Sequence, residues 1–199
     1  LVSTNPLWVG LASILLFRER LRAPTLLGIA LTLGGTMLIG LSDSAFSSAP
    51  NPLLGNALAL IGAAAGSGYL LIGRTLRRHV SILAYTWLVY SAAAVVLVLW
   101  ALLAGQSLFG LPPLAYLLIL GLAVGPQLLG HTSFNYALSA LSATFVAVAI
   151  LGEPVGSALL ALLIFGETFA PLQLLGFVVL LAGIVIAARG ETAAQTGGA

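Results

Sequence analysis

Three polar residues, Gln127, His131 and Asn135, stand four apart in an otherwise apolar stretch. At spacings i, i+4 and i+8 they share one stripe of an α-helix. On a membrane-length helix such a stripe has to face protein or water rather than lipid. It could line a cavity and hydrogen-bond a solute, with His131 taking part in proton movement. The plainer reading is a set of interhelical hydrogen bonds that lock a bundle. Tyr69 and Trp8 are further candidates for lining a cavity, although an aromatic in such a segment more often packs. Glu153 is the other chemical feature. It sits near the middle of the apolar stretch 143–165, where an ionised carboxylate costs about 2.5–3.5 kcal/mol. One role for it is the coupling acid of a proton-driven carrier. The other is a hydrogen bond to backbone beside a kink at Pro154.

The elements that hold these residues are repeated within the chain. With Pro154 set over Pro6, an offset of 148, the residue types agree at Phe165/Phe17, Glu167/Glu19, Gly176/Gly28 and Gly183/Gly35 and at several leucines, in one ungapped frame. Such self-similarity marks a fold built from copies of one unit. Each copy reads as an apolar helix kinked by proline, a turn marked by glutamate, and a second apolar helix. Pro6, Pro126 and Pro154 are the expected kinks. Glu19 and Glu167 are expected to cap the helices that follow them, where the helix dipole favours an anion. In the frame of the repeat, Glu153 falls on Asn5. A hydrogen-bonding group therefore occupies that place in both copies.

Composition sets the medium. The chain of 199 residues is 60% hydrophobic and 6% charged, against about 25% charged in soluble domains. A bilayer core about 30 Å thick asks for roughly 20 apolar residues per helix. The fold class is therefore all-α, a polytopic transmembrane helix bundle, with about seven spans at 1–17, 24–41, 53–73, 82–104, 114–136, 143–165 and 170–188. Residues 42–52 read as a linker and 189–199 as a small, polar, disordered tail. The cationic side chains are seven arginines with no lysine, too few for a nucleic-acid footprint. No cysteine is present, which excludes thiolate metal sites, and no metal or cofactor is expected. Without lysine there is also no phosphate-binding loop for ATP-driven transport.

Alternation of the spans puts Arg18, Arg20, Arg22, Arg74, Arg77, Arg78 and Arg189 on one face of the membrane. By the positive-inside rule that face, with the basic loops and the C-terminus, is cytoplasmic, and the protein is expected in the cell membrane. The turn after Phe17 then lies on the face opposite the turn after Phe165. The two copies are inverted, a recurring design of secondary transporters whose substrate site lies near the midplane.

The chain resembles the drug/metabolite transporter superfamily, specifically its EamA type. The motifs are Asn5-Pro6-Leu7-Trp8 leading to Phe17-Arg18-Glu19-Arg20, Gly130-His131-Thr132 with Asn135-Tyr136-Ala137-Leu138, Leu151-Gly152-Glu153-Pro154, and Phe165-Gly166-Glu167. The resemblance implies a ten-helix carrier made of two inverted five-helix halves. Residues 1–41 would be the last two spans of the first half, 53–188 the five spans of the second, and three further spans would precede them. It also implies a small-molecule substrate (an amino acid, a drug or a related solute), a lipid bilayer as medium and a homodimer as a possible assembly.

Two other classes compete. An intramembrane hydrolase using Ser67 and His131 is invited by Gly66-Ser67-Gly68. A serine nucleophile also needs a positioned base and an oxyanion site, however, and an inverted repeat has no role in such an enzyme. A non-transporting seven-helix receptor takes the count of spans at face value and leaves the repeat unexplained.

Overall fold

The computed structural model describes residues 2–18, 21–42 and 52–196. After a 3₁₀ turn at Val2–Thr4 come nine α-helices: α1 (Asn5–Phe17), α2 (Ala23–Ser42), α3 (Pro52–Arg77), α4 (Ile82–Leu103), α5 (Pro113–Leu122), α6 (Thr132–Ala137), α7 (Ala143–Ile150), α8 (Glu153–Phe165) and α9 (Pro171–Thr196). A π-helical segment, Ala123–His131, joins α5 to α6. Among the described residues six stretches are long and apolar enough to cross a membrane: Ala23–Ser42, Leu54–Arg77, Ile82–Leu103, Pro113–Ala137, Ala143–Phe165 and Pro171–Thr192. Much of their surface is leucine, isoleucine and valine left exposed, which water disfavours and lipid accepts. This is a multi-pass membrane protein.

The repeat is visible in the helix boundaries. α1 and α8 each have 13 residues and start and end 148 positions apart. Both end on a left-handed residue, Arg18 (φ 53°) in the first copy and Gly166 (φ 69°) in the second. Glycine adopts that conformation freely, whereas arginine does so against steric resistance. α2 and α9 also start 148 positions apart, at Ala23 and Pro171. Pro6 and Pro154 occupy the second position of their helices, where no intrahelical amide is needed. They thus begin helices rather than sit inside them. The span 143–165 breaks just upstream of Pro154, at Leu151 and Gly152, whose amides donate to the carbonyls of Val148 and Ala149 at 3.1 and 3.0 Å.

Contacts divide the described chain into two compact units, one of the residues up to Ile72 with those from Leu141 onwards, the other Gly73–Ala140. In the first, α2 against α9 is the most extensive helix contact. The two run antiparallel. Gly28 near the start of α2 meets Gly183 and Ala187, and Gly35 meets Gly176 and Leu180. Small residues let two membrane helices approach to backbone contact. The repeat exchanges these pairs: Gly28 corresponds to Gly176, and Gly35 to Gly183. α1 packs on α7, with the buried Thr144 hydroxyl donating to that of Ser13 at 3.4 Å. Ile29, Val148 and Ala187 form a small core, with Leu33, Phe145 and Ile184 around it.

The last helix is longer than the sequence predicts. It runs through residues 189–196, expected as a disordered tail. Glu191 explains the extension. Its carboxylate accepts from the Ser142 amide at 2.7 Å and the Ser142 hydroxyl at 2.6 Å, while that hydroxyl caps α7 by accepting from the Phe145 amide at 3.1 Å. The linker expected at 42–52 lies largely outside the described residues.

In the second unit α4 is a long, mostly exposed apolar helix that begins at a Ser81 cap. The span opposite it is not uniform. Pro126 lacks the amide an α-helix would use there and its ring crowds the preceding turn. The chain widens into i→i+5 bonding around it, with Gly125 and Gly130 inside the widened segment.

Candidate functional site

The candidate residues fall into separate networks. In the first unit Asn5 holds α1 to α3. Its side-chain amide donates to the Ala63 carbonyl at 3.2 Å. Its backbone carbonyl accepts from the Ser67 hydroxyl at 3.4 Å, and Ser67 also donates to Ala63 at 2.7 Å. Gly66 makes room: a Cβ there would stand 2.8 Å from the Asn5 amide nitrogen. The Asn5 amide oxygen is buried and, among the described residues, accepts no hydrogen bond. Trp8 lies one turn on, half exposed, its indole N–H donating to Thr4 at 3.1 Å. Tyr69 is half-buried on α3.

Glu153, the counterpart of Asn5, is the first residue of α8 and is exposed. Glu167 is exposed too, and its side chain reaches nothing in the first turn of α9. That turn is closed instead by the Ala170 carbonyl, which accepts from Gln173 and Leu174 at 2.9 and 3.1 Å. Among the described residues Glu167 makes no such cap, and two residues, Thr168 and Phe169, lie between it and the position before α9. Glu19 lies outside the described residues.

In the second unit the polar residues converge. Asn135 is fully buried, at 0% exposure. Its side-chain amide donates to the Tyr90 hydroxyl at 3.5 Å. That hydroxyl also lies 3.1 Å from the Thr132 hydroxyl and donates to the Gln127 carbonyl at 3.4 Å. Behind this cluster, Arg77 is 8% exposed, its Nε donating to the Asn135 carbonyl at 3.0 Å and its Nη1 to the Val80 carbonyl. Among the described residues the guanidinium is thus held by two backbone carbonyls, one on α6 and one in the loop between α3 and α4.

His131 does not join the stripe expected from its spacing. It is exposed and meets Phe134 edge-on, at a ring separation of 6.3 Å. Here the chain is π-helical, bonded i→i+5 in place of i→i+4, and Thr132 rather than His131 meets the Tyr90 hydroxyl. Tyr90, Thr132 and Arg77 are the residues that sequence spacing missed. Thr132 stands inside the Gly130-His131-Thr132 motif, and Tyr90 is the one hydroxyl-bearing aromatic well inside the span 82–104. The serine and histidine of the hydrolase alternative belong to different units, and Ser67 is committed to two carbonyls.

An apolar groove of about 340 Å³ separates α1 from α2, lined by Pro6, Leu11, Ile14, Leu26, Ile29 and Leu33 among others. It offers no polar side chain to orient a solute. The networks around Tyr90 and Asn5 do offer donors and acceptors inside an apolar bundle.

Comparison with known proteins places these features. An uncharacterized transporter of Bacillus subtilis (strain 168), YetK, is 34% identical over 85 residues, 42% of this chain and 26% of the relative. The chain thus matches about a quarter of that relative's length. The model of the EamA-like transporter family matches residues 53–189. That match covers well over half the chain and takes in both the Tyr90 network and the second copy of the repeat, and the chain belongs to the EamA-like transporter family.

Proposed function

We propose that this chain forms part of a secondary transporter that moves a small metabolite, such as an amino acid, a drug or a related solute, across the cytoplasmic membrane by alternating access. The observation that carries this reading is the reciprocal contact of Gly28 with Gly183 and of Gly35 with Gly176. Two copies of one helix pair meet antiparallel about a local two-fold relation. A pathway between inverted halves can open to either side with little change in the contacts within each half. Residues 1–41 are the last two spans of the first repeat and 53–188 the five of the second. Gln127, His131, Asn135, Tyr69 and Trp8 are the candidate lining residues.

Asn5 and Glu153 occupy equivalent places and give two readings of one position. Asn5 bonds across a helix contact, which favours a structural role for the pair. The exposed Glu153 keeps the coupling reading open. Uptake into vesicles by the Glu153→Gln variant, followed against pH, decides between them, since undiminished proton-coupled uptake ends the coupling role.

The inverted arrangement in the membrane is tested by labelling. The chain has no cysteine, so single substitutions Arg22→Cys and Glu167→Cys report their own turns to an impermeant maleimide on intact cells. The expected result is labelling at 167 and protection at 22, with the arginine-bearing face inside. Equal labelling of both turns would overturn the arrangement and the transport reading with it.

A further inference from the structure

The Tyr90 hydroxyl touches the span 113–137 on both sides of the junction between the π segment and α6. It reaches the Gln127 carbonyl at 3.4 Å on one side, and Thr132 and Asn135 at 3.1 and 3.5 Å on the other. In a continuous α-helix, residues 127 and 132 would be about 140° apart around the axis, five steps of about 100° each. One phenol reaches both because the i→i+5 bonding stacks residues five apart. The same sequence wound as an ordinary α-helix aligns a different trio, Gln127, His131 and Asn135. The two registers therefore put different residues beside Tyr90, a threonine hydroxyl in the π form and the His131 imidazole in the α form.

We propose that the span 113–137 is a two-register element and that the Tyr90 hydroxyl is the latch for the π register seen here. Release of the latch winds Ala123–His131 into α-helix and brings His131 onto the face of Gln127 and Asn135. The segment is suited to both windings. Pro126 has no amide to lose in either, and Gly121, Gly125 and Gly130 have no side chains to re-pack, with no atom other than the Gly125 carbonyl, 3.8 Å from Gly130, within 4 Å of a Cβ built on any of them. Tyr90 is thus a positioning residue. It sets which polar side chain the span presents without itself having to touch a solute. The use of this switch in transport rests on the alternating-access reading, but the switch itself does not.

The chain has two histidines, His79 and His131, so histidine-labelled protein in lipid nanodiscs gives two sets of ring signals, assigned with His79→Gln. In the unsubstituted chain the His131 ring should show through-space contact with Phe134 and none with residue 90. In Tyr90→Phe, which keeps the ring and removes the hydroxyl, a second His131 signal in contact with the ring at 90 should rise from under about a tenth of the population to over about a half. Thr132→Val, which removes the other hydroxyl and leaves Tyr90 in place, should shift the population in the same direction. It decides the matter if Tyr90→Phe fails to fold. A single His131 environment with its Phe134 contact intact in the folded variants would overturn the latch. No uptake is measured, so that result leaves the transporter reading standing.

Discussion

Gly28 and Gly183 lie backbone to backbone. A methyl group on Gly28 would stand 2.7 Å from the Gly183 carbonyl oxygen, and one on Gly183 would stand 2.9 Å from that of Gly28. The repeat turns this pair into Gly176 and Gly35, which meet in the same way at 2.9 and 2.7 Å. A contact that maps onto itself when the two copies are exchanged is a two-fold relation written in four glycines. In a membrane, where apolar burial does not drive helices together, close backbone approach supplies much of the association.

Gly183→Ala should therefore destabilise the folded chain. Its new methyl would meet Thr32 backbone nitrogen at 2.7 Å and the Gly28 carbonyl at 2.9 Å, atoms that cannot move without parting the helices. Overpacking of this kind costs about 1–3 kcal/mol. Gly34→Ala is the matched control, one residue from Gly35 but with nothing within 4 Å, and helix propensity favours alanine there by about 1 kcal/mol. Denaturant titration of both variants in detergent should move the midpoints in opposite directions.

The glycine faces and the helix pairs were legible because residue types recur in a fixed frame, and types alone are enough to see that. The register of the span 113–137 was not. Counting by fours assumes one helical period throughout, and only Pro126 between two glycines hints that Ala123–His131 departs from it. Tyr90 was missed for a related reason. It is a single aromatic in an apolar span, and what it does depends on a widened helix in another part of the chain. The prolines at 6 and 154 were legible as breaks but not as helix starts, since a proline inside an apolar run reads the same in both cases.

Glu191 marks a third limit, and a testable one. The helical order of 189–196 is tied to Ser142, 49 residues away, a contact that no local composition announces. Glu191→Ala leaves the Ser142 amide without its acceptor and frees the end of α9. Hydrogen bonds to a charged group contribute about 1.5–3 kcal/mol, and the partial exposure of this pair favours the lower end. Amide exchange should quicken at Ser142 and across 189–196, while exchange within α4 stays unchanged.

Among the described residues, the hydrogen bonds of Arg77 run to backbone carbonyls. Its fork spans two carbonyls, those of Asn135 and Val80. Lysine presents one point charge on a flexible stem and cannot reproduce that fork. Arg77→Lys should lose about 1–2 kcal/mol of stability, and Arg77→Met more, because it removes both bonds and hydrogen bonds to a charged group contribute about 1.5–3 kcal/mol. The order Arg, Lys, Met in thermal unfolding checks this. An equal midpoint for Arg and Met would mean that the guanidinium contributes nothing.

The contact of Asn5 with α3 yields the sharpest energetic test, because both partners can be changed in combination. Gly66 is small where the Asn5 amide nitrogen needs space, 2.8 Å from where a Cβ would be. Gly66→Ala alone should push that amide off the Ala63 carbonyl and lose its bond, worth about 0.5–1.5 kcal/mol. Asn5→Ala alone loses the same bond and also removes the buried amide oxygen that has no partner, so its net cost should be smaller. With Asn5 already alanine, the methyl at 66 has nothing to displace. The second substitution should then be neutral or stabilising. A double-mutant cycle measured by reversible unfolding should give a coupling of about 0.5 kcal/mol or more between the two sites. Strict additivity would mean that Gly66 is glycine for another reason, and that Asn5 does not hold α1 against α3 through this bond.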